Sequence, residues 1–210
     1  MFTGRFDDPS GLALPEKQRF RTTYCATQRV GAFGEIVADF RRPLVPNDPP
    51  DGLLIGVREI DDEEPFDPRE YHGVVPPTFC NGRYIGTTHL DSSLNCVDLA
   101  AGETVEHLRY ALAQEAADLG LNDVDFSVVL GPHRQFTRTI ARYIHSQLDH
   151  TGKPRYAGIR YLSHLNLAWE CWAIFADRLY KYHSPKVTER VRRDDPGLIE
   201  AANFFHLEIR

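Results

Sequence analysis

The chain has 210 residues, a formal net charge of -6, 42% hydrophobic and 26% charged residues, a mix that fits a packed globular core and excludes a disordered polypeptide. The acidic balance, with a pI near 5.8, argues against a partner held through its phosphate backbone. No apolar run reaches the roughly 18 to 20 residues of a membrane span, so neither nucleic acid nor membrane is expected as a partner.

Met1 to Pro9 carries neither an apolar stretch nor a cleavage pattern, and the expected location is the cytoplasm. Phe20 to Ala26 mixes aromatic, β-branched and small residues and reads as a strand. Thr27 is then a candidate cap for a helix to about Arg41, with Val30, Phe33, Ile36, Val37 and Phe40 at helical spacing and Glu35 beside that stripe. Residues 42–77 crowd prolines around the acidic run Asp61 to Glu64 and read as a surface excursion, in which Leu53 to Ile60 is either loop or strand.

Arg83 to Leu90 and Asn95 to Leu99 are expected strands. A helix over Gly102 to Leu119 follows, its inner face Val105, Leu108, Leu112 and Ala116, with Gly120 as its stop. Val124 to Leu130 looks like a strand. A second helix runs from Gly131 and Pro132 to about Leu148 and turns Phe136, Ile140, Tyr143 and Ile144 inward. Gly158 to Tyr161 and Glu170 to Phe175 complete the strands, with Phe204 to Ile209 as a candidate edge strand. Strands clustered without βαβ alternation predict an α+β sheet core in one domain over residues 1–210. Neither GxGxxG nor GxxxxGK[ST] occurs.

The four cysteines lie far apart without a CxxC pair and read as reduced thiols, and the nine histidines lack ligand spacing, so no metal is expected. Trp169 and Trp172 read as core, with a base-stacking platform as the alternative, and His133 and Arg134 as surface residues at a helix start, with a phosphate contact there as the alternative. Arg5, Tyr24, Glu35 and Ser163 each have a plain structural explanation taken singly: a surface charge, a core ring, a solvated helical carboxylate and a turn hydroxyl.

Three blocks change that reading: GRF at Gly4 to Phe6, FRTTYCATQRVGAFGEIVADFR at Phe20 to Arg41, and AGIRYLSHLNLAWECWAIF at Ala157 to Phe175. With the middle segments NCVDL, LGLNDVDFSVVLGPH and TRTIARYIH, the chain resembles the RES-domain family over most of its length outside residues 42–80. The resemblance implies an ADP-ribosyltransferase-like fold: a split, mostly antiparallel sheet with flanking helices and NAD in its cleft. It also implies an NAD-degrading enzyme, a phosphorylase or glycohydrolase that cleaves the nicotinamide–ribose bond as the toxin of a toxin–antitoxin pair, with a small helix-turn-helix antitoxin as partner. Protein ADP-ribosylation and non-catalytic nucleotide binding are the alternatives, and self-association is left open.

By the same resemblance Arg5, Tyr24, Glu35 and Ser163 are the site. Between the arginine and tyrosine positions this chain inserts SGLALPEKQ, which leaves Arg19 or Arg21 as substitutes for Arg5. An arginine suits the NAD pyrophosphate. A carboxylate, Glu35, suits the oxocarbenium-like centre left when nicotinamide departs. Tyr24 and Ser163 would contact the nicotinamide ribose end. Arg160 and Tyr161 are of second rank, because alternate residues of a strand face opposite ways and Arg160 need not share the face of Ser163.

Overall fold

The computed structural model describes residues 4–10, 14–15, 18–42, 72–178 and 187–210. In chain order its elements are β1 (Thr22–Ala26), α1 (Arg29–Val37), β2 (Val74–Val75), β3 (Tyr84–Thr87), β4 (Cys96–Asp98), α2 (Gly102–Ala111) and α3 (Ala113–Asp118). Then follow α4 (Phe126–Val129), α5 (Arg134–Ser146), β5 (Gly158–Leu162), β6 (Glu170–Phe175), β7 (Val187–Arg190), α6 (Pro196–Phe204) and β8 (Glu208–Ile209). The fold is mixed α and β, and no described helix is long and apolar enough to cross a membrane.

The main sheet runs β1-β6-β5-β4. β1 and β5 flank β6 antiparallel, with Tyr24 opposite Ala173 and Tyr161 opposite Cys171, whereas β4 joins β5 in parallel. Two small pairs lie apart from it, β3 with β7 antiparallel and β2 with β8 parallel. One face of the main sheet packs on α2 and α5 through Leu108, Phe136, Ile140, Ile159 and Phe175. A second cluster, Phe33, Val37, Phe79, Leu198 and Ala201, fills the space between α1 and α6. Burial of such side chains is worth roughly 1.5–3 kcal/mol each and is what fixes α1 in place.

The expected strand at Phe20 begins two residues later, and the expected helix ends as a 3₁₀ turn over Ala38–Phe40. Thr27 does not cap α1. Its hydroxyl donates to Glu170 Oε2 at 2.6 Å and accepts from Trp172 Nε1 at 2.9 Å, so it fastens the strand-to-helix corner to β6, while Gln28 occupies the cap position with its side chain accepting from Glu170 N at 3.0 Å and not from α1. Ile36, counted in the apolar stripe, faces solvent.

Val124 to Leu130 is not a strand. Asp125 accepts from the backbone of Val128 and from the Ser127 hydroxyl, and this local capping turns the apolar run into α4. The helix expected over Gly102 to Leu119 divides at Leu112, where φ is -120° and ψ 24°. Its stop is where the sequence put it, with Gly120 at φ +72°. A Cβ there would meet nothing within 4 Å. Gly120→Ala should therefore cost about 1 kcal/mol from backbone strain alone, read as a lower urea midpoint at unchanged slope.

Helix α6 has the signature of a start, Asp195 accepting from Gly197 N with Pro196 at the first turn. The run Phe204 to Ile209 opens inside that helix, and only Glu208–Ile209 pairs. Leu53 to Ile60 and the acidic run lie outside the described residues. The last part of the proline-rich stretch is built inward, with Val75 and Phe79 in the second core cluster.

Candidate active site

Glu35 and Ser163, 128 positions apart, are joined directly: the Ser163 hydroxyl donates to Glu35 Oε1 at 2.5 Å. Two local facts bring this about. Glu35 lies on the exposed flank of α1, one residue beyond Gly34, which packs inward. Ser163 follows β5 on the face of Tyr161, since residues two apart on a strand share a face. Ser163 is fully buried, its backbone N donates to Trp169 O at 2.9 Å, and its hydroxyl accepts from Leu165 N at 3.1 Å. The hydroxyl is thus occupied on both sides. Its effect is to orient the Glu35 carboxylate.

Arg5 reaches the same place from the N-terminal segment. Its guanidinium lies 5.9 Å from the centroid of Tyr161 and 5.5 Å from that of Phe6. Nη2 donates both hydrogens at 2.8 Å, to Val129 O and to Gly131 O between α4 and α5. Nε is buried with no hydrogen-bond partner among the described residues. Burial lowers the Arg5 pKa, while Tyr161 and Glu35 oppose that shift. An arginine stays protonated at any working pH regardless. Arg5 is therefore a fixed positive charge within electrostatic reach of Glu35, with part of its donor fork already engaged by backbone.

Tyr24 secures that segment. Its hydroxyl accepts from Phe6 N at 2.7 Å and donates to Asp7 Oδ1 at 3.0 Å, while Asp7 Oδ2 accepts from Gly4 N. A Cβ at Gly4 would fall 2.6 Å from Tyr24 Cε2, so only glycine fits against the ring. Burial, followed by the Asp7 charge, raises the phenol pKa. The Tyr24 hydroxyl, one of the two contacts the sequence suggested for it, is thus engaged within the protein, while 38% of the residue remains exposed. Tyr24→Phe should cost about 1–2 kcal/mol, because the buried Phe6 N–H loses its acceptor, and a urea unfolding curve would show it.

The remaining candidates lie elsewhere. Arg160 is on the opposite face of β5, donating to Glu170 and, at 2.8 Å, to Asp98 Oδ2. Arg21 precedes β1 at the end away from α1, about 16 Å of strand from the corner that Glu35 follows. Arg19 is two residues further back. Arg5 interacts electrostatically with Glu35.

Three further groups complete the surroundings: His164 and Arg41, which the sequence did not single out, and Arg134, which it offered only as a surface residue or a phosphate contact. His164 follows Ser163 and is exposed; burial and then Arg5 lower its pKa, Glu35 opposes, and Arg41 and Arg134 lower it further. Arg41 comes six residues after Glu35, its guanidinium 5.1 Å from the Phe205 centroid. Arg134 opens α5, next to the carbonyls that hold Arg5. The signal available for all three was adjacency to a named residue or element end. Cys171, opposite Tyr161, has its thiol pushed up to about 12, mainly by burial, and is no nucleophile at neutral pH. Among the described residues no group of three His, Cys, Asp or Glu side chains is placed to hold a metal ion.

The arrangement is one exposed carboxylate, oriented by Ser163, with the positive charge of Arg5 within electrostatic reach. It can draw in a polyanionic ligand and present a negative charge to a cationic carbon within it. Compared with known proteins, the chain matches no family model, no curated protein and no solved structure.

Proposed function

We propose that the protein cleaves NAD at the nicotinamide–ribose bond and passes ADP-ribose to phosphate or water. The observation that carries this reading is the Ser163–Glu35 hydrogen bond, which holds a carboxylate within electrostatic reach of the fixed charge of Arg5. NAD brings the complementary chemistry, an anionic pyrophosphate for Arg5, Arg41 and Arg134 and a ribose C1 that turns cationic as nicotinamide leaves.

In this mechanism the C1–N bond breaks with its electron pair going to nicotinamide, which departs neutral and needs no general acid. Glu35 faces the developing oxocarbenium, and the acceptor oxygen forms the new C1–O bond, water losing a proton as it does so. Glu35 is the catalytic residue. Ser163 is a positioning residue, buried behind it, and Tyr24 positions Arg5 through Phe6 and Asp7. We read the mixed fold, one four-stranded sheet with two small strand pairs apart from it, as ADP-ribosyltransferase-like, the setting as cytoplasmic, and the partner, by the RES resemblance, as a small helix-turn-helix protein that covers Glu35.

The test is NAD consumption by purified protein with and without phosphate, separating nicotinamide from ADP-ribose products. Release that rises with phosphate supports phosphorolysis, and release in water alone supports hydrolysis. Label from ADP-ribose-labelled NAD appearing in protein would replace this reading with protein ADP-ribosylation, and tight NAD binding without release would replace it with a binding module.

A further inference from the structure

The nine-residue helix α1 carries Gly31 and Gly34, the least helix-favouring residues short of proline, three apart on one face. Both face Trp169. A Cβ on Gly34 would lie 2.5 Å from Trp169 Cη2 and 2.9 Å from Cε3, and one on Gly31 would lie 3.2 Å from Trp169 Cβ. The other side of the indole meets Phe204 and Phe205, at centroid distances of 5.0 and 5.8 Å. The ring is thus a buried wedge between α1 and the end of α6.

The backbone of the same residue closes the loop that holds Ser163. Trp169 O accepts from Ser163 N at 2.9 Å and Trp169 N donates to Asn166 O at 2.9 Å. Within the loop Ala168 N donates to Asn166 Oδ1 and Leu165 N to Ser163 Oγ. One end of this loop is therefore plugged into α1 one residue before Glu35, and its other end bonds to Glu35. Ring and hydroxyl grip the helix at adjacent positions.

We propose that Trp169 is a positioning residue whose seat on Gly34 sets the Ser163–Glu35 hydrogen bond and so the direction of the carboxylate. Its catalytic consequence rests on the proposed NAD cleavage; the positioning itself does not. A merely structural Trp169 would transmit a change at Gly34 to the whole α1–α6 layer. A positioning Trp169 transmits it first to the loop.

The experiment is amide hydrogen exchange by NMR on the full chain, wild type against Gly34→Ala, with nicotinamide-release kinetics on the same samples. Exchange at Ser163 and Leu165 should quicken about tenfold or more in Gly34→Ala, while Ile159 and Tyr161 in β5 stay within about twofold. The turnover rate kcat should fall about tenfold with KM little changed, since a displaced carboxylate loses orientation and not affinity. Gly34→Ala combined with Trp169→Phe, in which the smaller ring makes room for the new methyl, should regain most of both. Unchanged exchange at Ser163 and Leu165, or a uniform loss of protection over α1, β5 and β6, would overturn the proposal. If exchange follows the expected pattern but the wild-type protein releases no nicotinamide, the positioning stands and NAD cleavage falls.

Discussion

Glu35→Gln is expected to slow nicotinamide release by about 100- to 1000-fold, about 3–4 kcal/mol in barrier height, with the urea midpoint unmoved. The side chain is exposed on α1, and the amide oxygen of glutamine can still accept from Ser163, so the local hydrogen bond survives. What disappears is the negative charge, near Arg5, that an oxocarbenium would face. KM should stay level or fall, because the surroundings become more positive toward an anionic substrate. Steady-state release measured alongside urea unfolding separates the effects. A folded variant that kept more than about a tenth of the rate would remove Glu35 from the mechanism. Ser163→Ala should lose less, about tenfold, because that hydroxyl acts only through the carboxylate.

The largest loss of stability is expected from Arg29→Met. Arg29 donates to Asp195 through Nε at 3.0 Å and Nη2 at 2.5 Å, and Nη2 also meets Glu189 of β7 at 2.9 Å. The Asp195 side chain is only 4% exposed and caps α6 through Gly197 N. Methionine keeps the apolar stem over Gly197 but leaves a buried carboxylate without its cation. Because 35% of the arginine side chain is exposed and water can partly replace it, the cost is about 2–3 kcal/mol, short of a fully buried pair.

The same pair sets a pH dependence. Hydrogen bonding to Arg29 holds the Asp195 pKa below its ordinary 3.8. The pair's contribution is therefore complete above that value and drains away as pH falls through the lower folded one. As pH falls below about 4 the wild type should lose stability faster than Asp195→Asn, and Arg29→Met should cost under about 1 kcal/mol in that background. An equal cost of Arg29→Met in both backgrounds would show that the packing of the stem, not the charge, matters.

How far the sequence alone reached differs by element and by cause. Strand β6 was legible end to end, and the inward face of α5 came from its helical spacing, Phe136, Ile140 and Ile144 all being buried. Where the reading failed, a hydrogen bond outweighed a pattern. Asp125 capped a run that looked like a strand, and Thr27 bonded across to Glu170 in place of its own helix. Helix α6 was missed although Asp195 and Pro196 announce its start, because the apolar run over Phe204 to Ile209 drew the eye to a strand.

For the site, residue types and the RES resemblance named Arg5, Tyr24, Glu35 and Ser163. What spacing could not supply was the division of roles, since only three-dimensional placement shows Ser163 buried behind Glu35 and Tyr24 bonded to Phe6 and Asp7. The arginines Arg41 and Arg134 lie far apart in the chain, and only the folded structure brings the charge of both to bear on His164.

The packing of α1 against α6 also governs the order of events during synthesis. At about 5–20 residues per second the ribosome needs roughly 8 to 32 s to travel from the end of α1 to the start of α6. Throughout that interval Phe33 and Val37 lack Leu198 and Ala201, and the ring of Trp169 lacks Phe204 and Phe205. The helix that bears Glu35 thus has no settled seat until late in translation, and the packing around its carboxylate is among the last parts of the fold to close.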